Sequence, residues 1–224
     1  MIAPGTIPEV SPLLDEDMRK QIGDVFSKLH QDVWLLTIVD LKDEKCVELA
    51  SLLKDMERQG EKVHVELYEP GENLSLEEDL TDGGHLPALG IYREGHVYTG
   101  QSFLGVPGGK ELNSLLIALY NTAGTGQAME DQVKKRIQAI DKPVNIEVFV
   151  SLACHHCAQM VISCLRMAAL NPGIRAQMVD ANLFPDYVKK YGIERVPMTV
   201  INDAHTLMGG KSLEEVLDFI EKTV

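Results

Sequence analysis

The chain has 224 residues, of which 45% are apolar and 25% charged, a composition typical of a globular protein with one large domain or two small ones. Its 21 Lys and Arg residues are outnumbered by 34 Asp and Glu residues, which gives a formal net charge of −13. A surface this negative repels phosphate backbones and anionic lipids, so we expect no binding to nucleic acid or to membranes.

The N-terminal stretch MIAPGTIPEVSPLLDEDMRK has no basic segment followed by an apolar one, and no later run approaches the roughly eighteen apolar residues of a membrane helix. We therefore expect a cytoplasmic protein. The four cysteines, Cys46, Cys154, Cys157 and Cys164, are too few for a disulfide scaffold in a chain of this length. In a reducing compartment, a close pair of cysteines is typical of catalysis or metal binding.

The first half of the chain predicts α/β structure in the order helix, strand, helix, strand, short helix, strand, strand, helix. The helix RKQIGDVFSKL comes first. Strands are expected at residues 34–40, 62–69, 88–92 and 96–100, and two longer helices at residues 44–58 and 109–121.

The second half repeats this order. Strands are expected at residues 144–150, 174–180, 198–201 and 205–208, and helices at residues 158–170 and 185–191. Ser212, followed three residues later by Glu215, predicts a capping box at the start of the last helix. Because strand-helix-strand crossovers require parallel pairing while the closing hairpin is antiparallel, each half should form a mixed sheet with helices on both faces.

Two alignments indicate that the halves are copies of one fold. The segment VNIEVFVSLACHHC aligns with VWLLTIVDLKDEKC, which matches Cys157 with Cys46 and Cys154 with Asp43. Only the second copy therefore has a close cysteine pair. The sequence predicts two domains, a degenerate one at residues 1–123 and a redox-active one at residues 124–224.

The second alignment lies closer to the end of each copy. It matches Pro197 with Pro87, and the triplet Gly210-Lys211-Ser212 with Gly100-Gln101-Ser102. The repeat therefore extends from the first strand of each copy to the region before its last helix.

The segment SLACHHCAQM places Cys154 and Cys157 at the start of a helix. Covalent haem attachment requires His directly after the second cysteine, where this chain has Ala158. A structural zinc site needs four ligands, usually in two pairs from different segments, and the chain has one such pair. A helix start instead favours a thiolate, so we predict a redox dithiol without metal or bound cofactor, with Cys154 as nucleophile and Cys157 as resolving thiol.

The order of strand, Cys-x-x-Cys and helix, with Val196-Pro197 following, resembles the thioredoxin fold. In that family the proline is cis and lies against the dithiol, and the backbone of the preceding residue pairs with the partner's chain. The resemblance therefore implies that Val196 and Pro197 bind the partner. The fold class that we expect is α/β, with two tandem thioredoxin-like folds whose mixed sheets are flanked by helices.

Three segments, SLACHHCAQMV, LNPGIRAQMVD and GGKELNSLLIALYNTAG, are similar to the N-terminal tandem-thioredoxin domain of the alkyl hydroperoxide reductase flavoprotein. This similarity covers nearly all of residues 13–222, and in that domain too only the second copy keeps the dithiol. The two-fold protein disulfide oxidoreductases of thermophiles are the next resemblance, but they usually have Cys-x-x-Cys in both halves.

The resemblance implies a thiol-disulfide oxidoreductase of the protein-disulfide reductase type, which carries electrons in cell redox homeostasis. The flavoprotein continues into FAD and nicotinamide domains, whereas this chain ends at Val224 without a Gly-x-Gly-x-x-Gly motif. We therefore expect a separate, thioredoxin-reductase-like flavoenzyme as electron donor. The expected acceptor is a peroxiredoxin or another protein disulfide.

Two further functions stay open. We expect His155 and His156 to face solvent and to raise the reduction potential by stabilising the thiolate, which would favour a protein disulfide isomerase or oxidant. The degenerate first copy leaves a non-catalytic interaction module as the third alternative.

Three residues outside the dithiol also lead to expectations. Glu111 matches a glutamate in the resembling domain, and our hypothesis is that it reaches across from the first copy to handle the proton of Cys157. Cys46 is expected to be a buried core thiol, because its partner position holds a carboxylate that cannot exchange disulfides. Cys164 is expected to lie in the core.

Overall fold

A computed structural model describes residues 7–81 and 83–224, so the first six residues of the predicted N-terminal domain lie outside it. The elements of the first copy are α1 (Glu16–Phe26), β1 (Val33–Ile38), α2 (Glu44–Glu57), β2 (Val63–Tyr68), α3 (Leu74–Leu80), β3 (Ala88–Arg93), β4 (Val97–Leu104) and α4 (Glu111–Ala123). Those of the second copy are α5 (Asp131–Gln138), β5 (Val144–Val150), α6 (Cys157–Leu170), β6 (Ile174–Asp180), α7 (Pro185–Lys190), β7 (Met198–Ile201), β8 (His205–Met208) and α8 (Leu213–Thr223).

The observed elements follow the predicted order, and all strands of the second copy have the predicted boundaries. The predicted capping box is confirmed, since Ser212 Oγ accepts from the Glu215 backbone N–H at 3.2 Å and Glu215 Oε2 accepts from the Ser212 N–H at 2.8 Å. Among the described helices, none is both long and apolar enough to cross a membrane.

The sheets of the two copies join into one mixed sheet. Within the described residues it has eight strands, in the order β2-β1-β3-β4-β6-β5-β7-β8. The two copies meet where β4 pairs in parallel with β6, with Gln101 opposite Ala176 and Leu104 opposite Val179. The predicted α/β class with thioredoxin-like copies is confirmed. The sequence analysis did not predict that the two sheets would join.

Strand β4 corrects the second alignment of the repeat. The triplet Gly100-Gln101-Ser102 lies inside β4, whereas Gly210-Lys211-Ser212 lies between β8 and α8. The strand is longer than predicted because it pairs on both sides, with β3 and with β6, whereas the edge strand β8 pairs with β7 alone. The alignment of Pro197 with Pro87 holds, since each directly precedes a strand.

Two apolar cores cover the two faces of the sheet. The larger one contains buried residues from α1, α2, α4, α5, α6 and α8, and thus draws on both copies. The smaller one lies under α3 and α7 on the opposite face, as shown by Leu35 in the larger core and Leu36 in the smaller. Since sheet and core both run through the two copies, the domain boundary between residues 123 and 124 stays a prediction.

The strand directions place functional segments of both copies at one edge of the sheet. Strand β5 is parallel to β6, and β6 to β4, while β1 and β4 are each antiparallel to β3. The carboxyl ends of β1, β4, β5 and β6 therefore share one edge. Among the loops that leave from this edge are the dithiol loop after β5, the loop from β4 to α4, and the loop after β1.

Candidate active site

Cys154 and Cys157 form a disulfide, with their Cα atoms 5.5 Å apart. Cys154 lies in the loop after β5 and is partly exposed, whereas Cys157 is completely buried. A partner disulfide can therefore reach the first sulfur and not the second. This difference agrees with the predicted roles of Cys154 as nucleophile and Cys157 as resolving thiol, which stay predictions.

The disulfide lies at the start of α6. Cys157 is the first residue of this helix, one residue earlier than predicted, and the preceding N-cap residue, His156, makes no side-chain hydrogen bond to the helix N–H groups. The first N–H groups of a helix have no partner within the helix, and together with the helix dipole they favour a nearby anion. This environment favours a thiolate in the reduced protein.

His155 and His156 are both exposed, as expected. They line a cleft of about 520 Å³ between α6 and the start of α8, together with Arg166 and Lys211. In the part of the chain that the structure describes, no three His, Cys, Asp or Glu side chains are grouped as around a metal ion. Tuning of the dithiol by the two histidines stays a prediction.

The Val196-Pro197 peptide bond is cis, as the resemblance implies, and the first copy has a matching cis bond at Leu86-Pro87. Because Met198 pairs with Phe149, the two residues before Met198 lie beside the segment that leads from β5 to Cys154. Pro197 is buried and Val196 is partly exposed. The cis-proline loop is thus next to the dithiol segment, and the binding of a partner chain by Val196 and Pro197 stays a prediction.

Glu111 lies at the start of α4, in the first copy, and is completely buried. Its Oε2 accepts a hydrogen bond from Ser114 Oγ at 2.6 Å. Its Oε1 has no hydrogen-bond partner among the residues that the structure describes. Burying a carboxyl oxygen without a partner is costly when the group is ionised, so the site favours the neutral acid.

The start of α4 is anchored on the dithiol loop of the second copy. The Lys110 backbone N–H donates to the Leu152 carbonyl at 3.1 Å, and Ser114 Oγ lies 3.4 Å from the Ala158 carbonyl. Gly109 has a φ of +55°, and a Cβ at this residue would lie 2.8 Å from the Leu152 carbonyl oxygen. Since Leu152 precedes the dithiol and Ala158 follows it, the start of α4, which includes Glu111, is held against the segment that carries the two cysteines.

The Glu111 carboxyl has a strongly shifted ionisation. Burial raises its pKa to about 7, the hydrogen bond from Ser114 opposes this rise, and the charge of Asp180 adds to it. At neutral pH the group is therefore divided between its protonated and ionised forms. Such a group can both accept and return a proton without a large free-energy cost.

Asp180 is a buried acid that the sequence analysis missed. It ends β6, is 7% exposed, and burial raises its pKa. One carboxyl oxygen accepts from the Asn182 backbone N–H at 3.0 Å. The signal that could have found it is its position, since an acid directly after a buried apolar strand lies at the carboxyl edge of the sheet.

The two remaining cysteines are buried and free, as expected for core thiols. Burial raises the pKa of both Cys46 and Cys164 to about 12. Neither is a thiolate at neutral pH, so neither is a nucleophile there.

Comparisons with known proteins agree with this geometry. The thioredoxin domain family matches residues 144–221, which contain the dithiol and the cis-proline loop. A domain of the alkyl hydroperoxide reductase AhpF from Enterococcus faecalis is 36% identical, with a TM-score of 0.86 over 92% of this chain and 99% of that one. A protein disulfide oxidoreductase from Aeropyrum pernix, 21% identical, shares the fold over 95% of this chain and 94% of its own, with a TM-score of 0.82.

The corresponding alkyl hydroperoxide reductase protein from Pseudomonas aeruginosa is 29% identical over 209 residues, which are 93% of this chain. The chain spans 37% of the length of that relative. It has the thioredoxin fold and the redox-active disulfide of thiol-disulfide oxidoreductases. Because its likeness to the Enterococcus faecalis domain extends over nearly all of both chains, this protein belongs to the family of tandem thioredoxin-fold domains that includes the N-terminal domain of the alkyl hydroperoxide reductase AhpF.

Proposed function

We propose that the protein is a thiol-disulfide oxidoreductase that carries electrons as a dithiol from a flavin-dependent reductase to a peroxiredoxin or another protein disulfide. The observation that carries this proposal is the pairing of a partly exposed Cys154 with a fully buried Cys157 at the start of α6. The name alkyl hydroperoxide reductase, which several of the matched relatives have, supports a peroxide-reducing system as the final acceptor. In this proposal the dithiol is the only electron-carrying group, and the protein works in the reducing cytoplasm.

The exchange runs in two steps. The Cys154 thiolate attacks one sulfur of the partner disulfide, forms a mixed disulfide, and releases the partner's other sulfur as a thiolate. Cys157 then loses its proton and attacks Cys154 Sγ, which closes the Cys154-Cys157 disulfide and releases the second partner thiolate. The partner gains two electrons and the dithiol loses two, which the reductase restores by the same exchange in reverse.

Glu111 is the group that we propose for the proton of Cys157. The thiol is completely buried and cannot pass its proton directly to water. Glu111 belongs to the helix start that is anchored on the dithiol loop. Its carboxyl has one oxygen without a hydrogen-bond partner among the described residues, and burial raises its pKa to about 7. In its ionised form it accepts the proton as Cys157 attacks, and it returns the proton when the dithiol is reduced again.

The first copy then has two parts in the chemistry. It supplies Glu111, and the hydrogen bond from Lys110 to the Leu152 carbonyl holds the dithiol loop in place. The partner contacts the second copy, where we propose that its chain pairs with the backbone of Val196 beside Pro197. His155 and His156, on the exposed side of the dithiol, stabilise the Cys154 thiolate.

The two exposed histidines favour a second candidate function, that of a disulfide isomerase or oxidant. Groups that stabilise the thiolate also favour the reduced form of the pair, and so make its disulfide a stronger oxidant. The two functions require electron flow in opposite directions, and the reduction potential distinguishes them.

A redox titration tests the direction. The protein is equilibrated in thiol buffers of known potential, and the free thiols of Cys154 and Cys157 are counted by mass after alkylation. We expect a midpoint near −270 mV, about that of thioredoxin, which suits a reducing carrier. A midpoint between about −180 and −120 mV, where isomerases and strong oxidants lie, would overturn the proposed direction.

A further inference from the structure

We propose that Ser114 is a positioning residue for the proton transfer at the buried thiol, and that its hydroxyl holds one carboxyl oxygen of Glu111 so that the other is free for the Cys157 proton. The inference rests on the proposed function, in which Glu111 accepts that proton. It adds a second residue of the first copy to the chemistry of the second.

The contacts of Ser114 bridge the two copies. Its Oγ donates to Glu111 Oε2 at 2.6 Å, and the same atom lies 3.4 Å from the carbonyl oxygen of Ala158. A hydroxyl has one hydrogen to donate, and the 2.6 Å contact is much the shorter. Ser114 therefore binds the carboxyl of Glu111 while its oxygen stays in contact with the helix that begins at Cys157.

Burial strengthens the effect of the Ser114 hydrogen bond on the pKa of Glu111. Ser114 and Glu111 are both completely buried, so water does not replace the donor when the hydroxyl is removed. A hydrogen bond to a charged acceptor in such a site is stronger than one between neutral groups. Because the hydroxyl prefers the ionised carboxylate, it lowers the pKa of Glu111 against the upward shift caused by burial.

Few other titratable groups face this carboxyl. Asp180, at the end of β6, adds negative charge, and Cys157 and Cys164 are the thiols of the packed helix α6. Helix α1 buries the apolar side chains of Ile22 and Phe26. Strand β1 has no titratable residue. The titratable residues of β3, Tyr92 and Arg93, lie at the end of that strand away from the dithiol edge of the sheet. On α4 itself, Lys110 is exposed and Ser114 is the donor to the carboxyl.

The two oxygens of Glu111 therefore have different roles. Oε2 is occupied by Ser114, and Oε1 has no partner among the described residues. A carboxyl that can rotate freely would spend part of its time with neither oxygen suitably directed. With Oε2 held, Oε1 is the atom that receives the proton from Cys157 Sγ when the thiolate attacks Cys154.

The test uses the reduced full-length protein and 5,5′-dithiobis(2-nitrobenzoate), a small aromatic disulfide that releases a coloured thiolate. Attack by Cys154 releases the first thiolate, and attack by Cys157 on the mixed disulfide releases the second. The rate of the second release, followed by stopped flow as a function of pH, reports the deprotonation of Cys157. In the wild type it should rise in a step centred near pH 7, the pKa of Glu111.

For Ser114→Ala we expect the step to move up by roughly one pH unit, because the carboxylate has lost its donor. At pH 7 the second release should be roughly fivefold slower, and it should recover at higher pH. Ser114→Thr keeps the hydroxyl and should restore the wild-type profile. Ser51→Ala removes another buried hydroxyl, which donates to the Pro8 carbonyl at 2.9 Å, and should leave the profile unchanged.

A ¹³C NMR titration gives an independent measure, in which the Glu111 carboxyl signal is assigned by its loss in Glu111→Gln. Its midpoint should rise in Ser114→Ala by the same amount as the kinetic step. If Ser114→Ala and the wild type have the same step while Glu111→Gln lacks it, the role of Ser114 is refuted and the role of Glu111 stands. If Glu111→Gln keeps the step, the proposed proton acceptor is wrong, and the role of Ser114 falls with it.

Discussion

The two copies of the fold differ in how the first N–H groups of the helix after their first strand are hydrogen-bonded. In the first copy, Asp43 occupies the position that aligns with Cys154, and its carboxylate accepts from the backbone N–H groups of Lys45 at 2.9 Å and Cys46 at 3.0 Å. In the second copy, the N-cap residue His156 makes no such side-chain bond. The first copy thus satisfies its helix N–H groups with a fixed carboxylate, while the second leaves them for a thiolate that forms during the reaction.

The two helices have the same length, but they start at different places relative to the aligned residues. Helix α2 begins directly after Asp43, whereas α6 begins three residues after Cys154, at Cys157. A side-chain cap stabilises a helix by about 1 kcal/mol, so the second copy forgoes stability at the site where it gains reactivity. The comparison indicates a division of tasks, in which one copy carries the dithiol and the other supports it through Glu111 and the start of α4.

The largest expected effect is on turnover, when cysteines of the two copies are replaced one at a time. Cys154→Ser should abolish turnover with a protein disulfide such as insulin, because a serine hydroxyl cannot exchange disulfides. Cys157→Ser should instead trap the mixed disulfide with the partner, visible by mass spectrometry under non-reducing conditions. Cys46→Ala, at the position that aligns with Cys157, should leave turnover unchanged because burial raises the pKa of this thiol to about 12. Turnover lost in the Cys46 variant would mean that both copies are redox-active.

A smaller effect is expected on the pH dependence of stability, through Glu111, the residue that the first copy contributes to the site. Burial raises the pKa of Glu111 to about 7 in the folded protein, against about 4.3 in an unfolded chain. Between these values the folded state binds a proton that the unfolded state has lost, so stability is greatest below about pH 4.3 and falls as pH rises to about 7. In Glu111→Gln this fall should disappear, which amounts to on the order of 3 kcal/mol between pH 4 and 8.

Urea unfolding of the wild type and Glu111→Gln across this pH range measures the effect as a difference between two curves. That difference cancels the contribution of Asp180, which is common to both proteins. Replacement of the exposed Glu94 by Gln controls for the substitution itself. Parallel curves for the wild type and Glu111→Gln would show that Glu111 is an ordinary carboxylate, and the first copy would lose the first of its two parts in the chemistry.

The sequence was sufficient for features that depend on local signals. The strands of the second copy are runs of β-branched and apolar residues bounded by Pro, Gly and Asn, and these boundaries are reproduced in the structure. The Cys154-x-x-Cys157 motif marks the site by residue type and spacing alone. Cys46 could likewise be assigned to the core because Asp43 occupies its partner position, and Cys164 because it shares a helix face with Val161 and Leu165.

Features that depend on contacts between the two copies could not be predicted from the sequence. Strand β4 continues to Leu104 because β6 offers it a second hydrogen-bonding partner, and no local pattern shows that pairing. The same pairing brings Asp180 to the edge of the sheet where Glu111 lies. Glu111 itself was found only through a resemblance, and Ser114, a serine inside a helix, has no distinguishing sequence signal at all.

The smallest effect tests whether the start of α2 is purely structural. Asp43→Ala removes the cap and should lower the free energy of unfolding by about 1 kcal/mol, a decrease in melting temperature of roughly 2–4 °C for a chain of this size. Asp15→Ala at the start of α1, where the side chain accepts from the Met18 N–H at 2.8 Å, should cost a similar amount. Neither change should alter the rate of disulfide exchange, because each carboxylate accepts its hydrogen bonds from the start of its own helix. If Asp43→Ala slowed exchange while Asp15→Ala did not, the first copy's helix start would be coupled to the dithiol, and its carboxylate would be more than a cap.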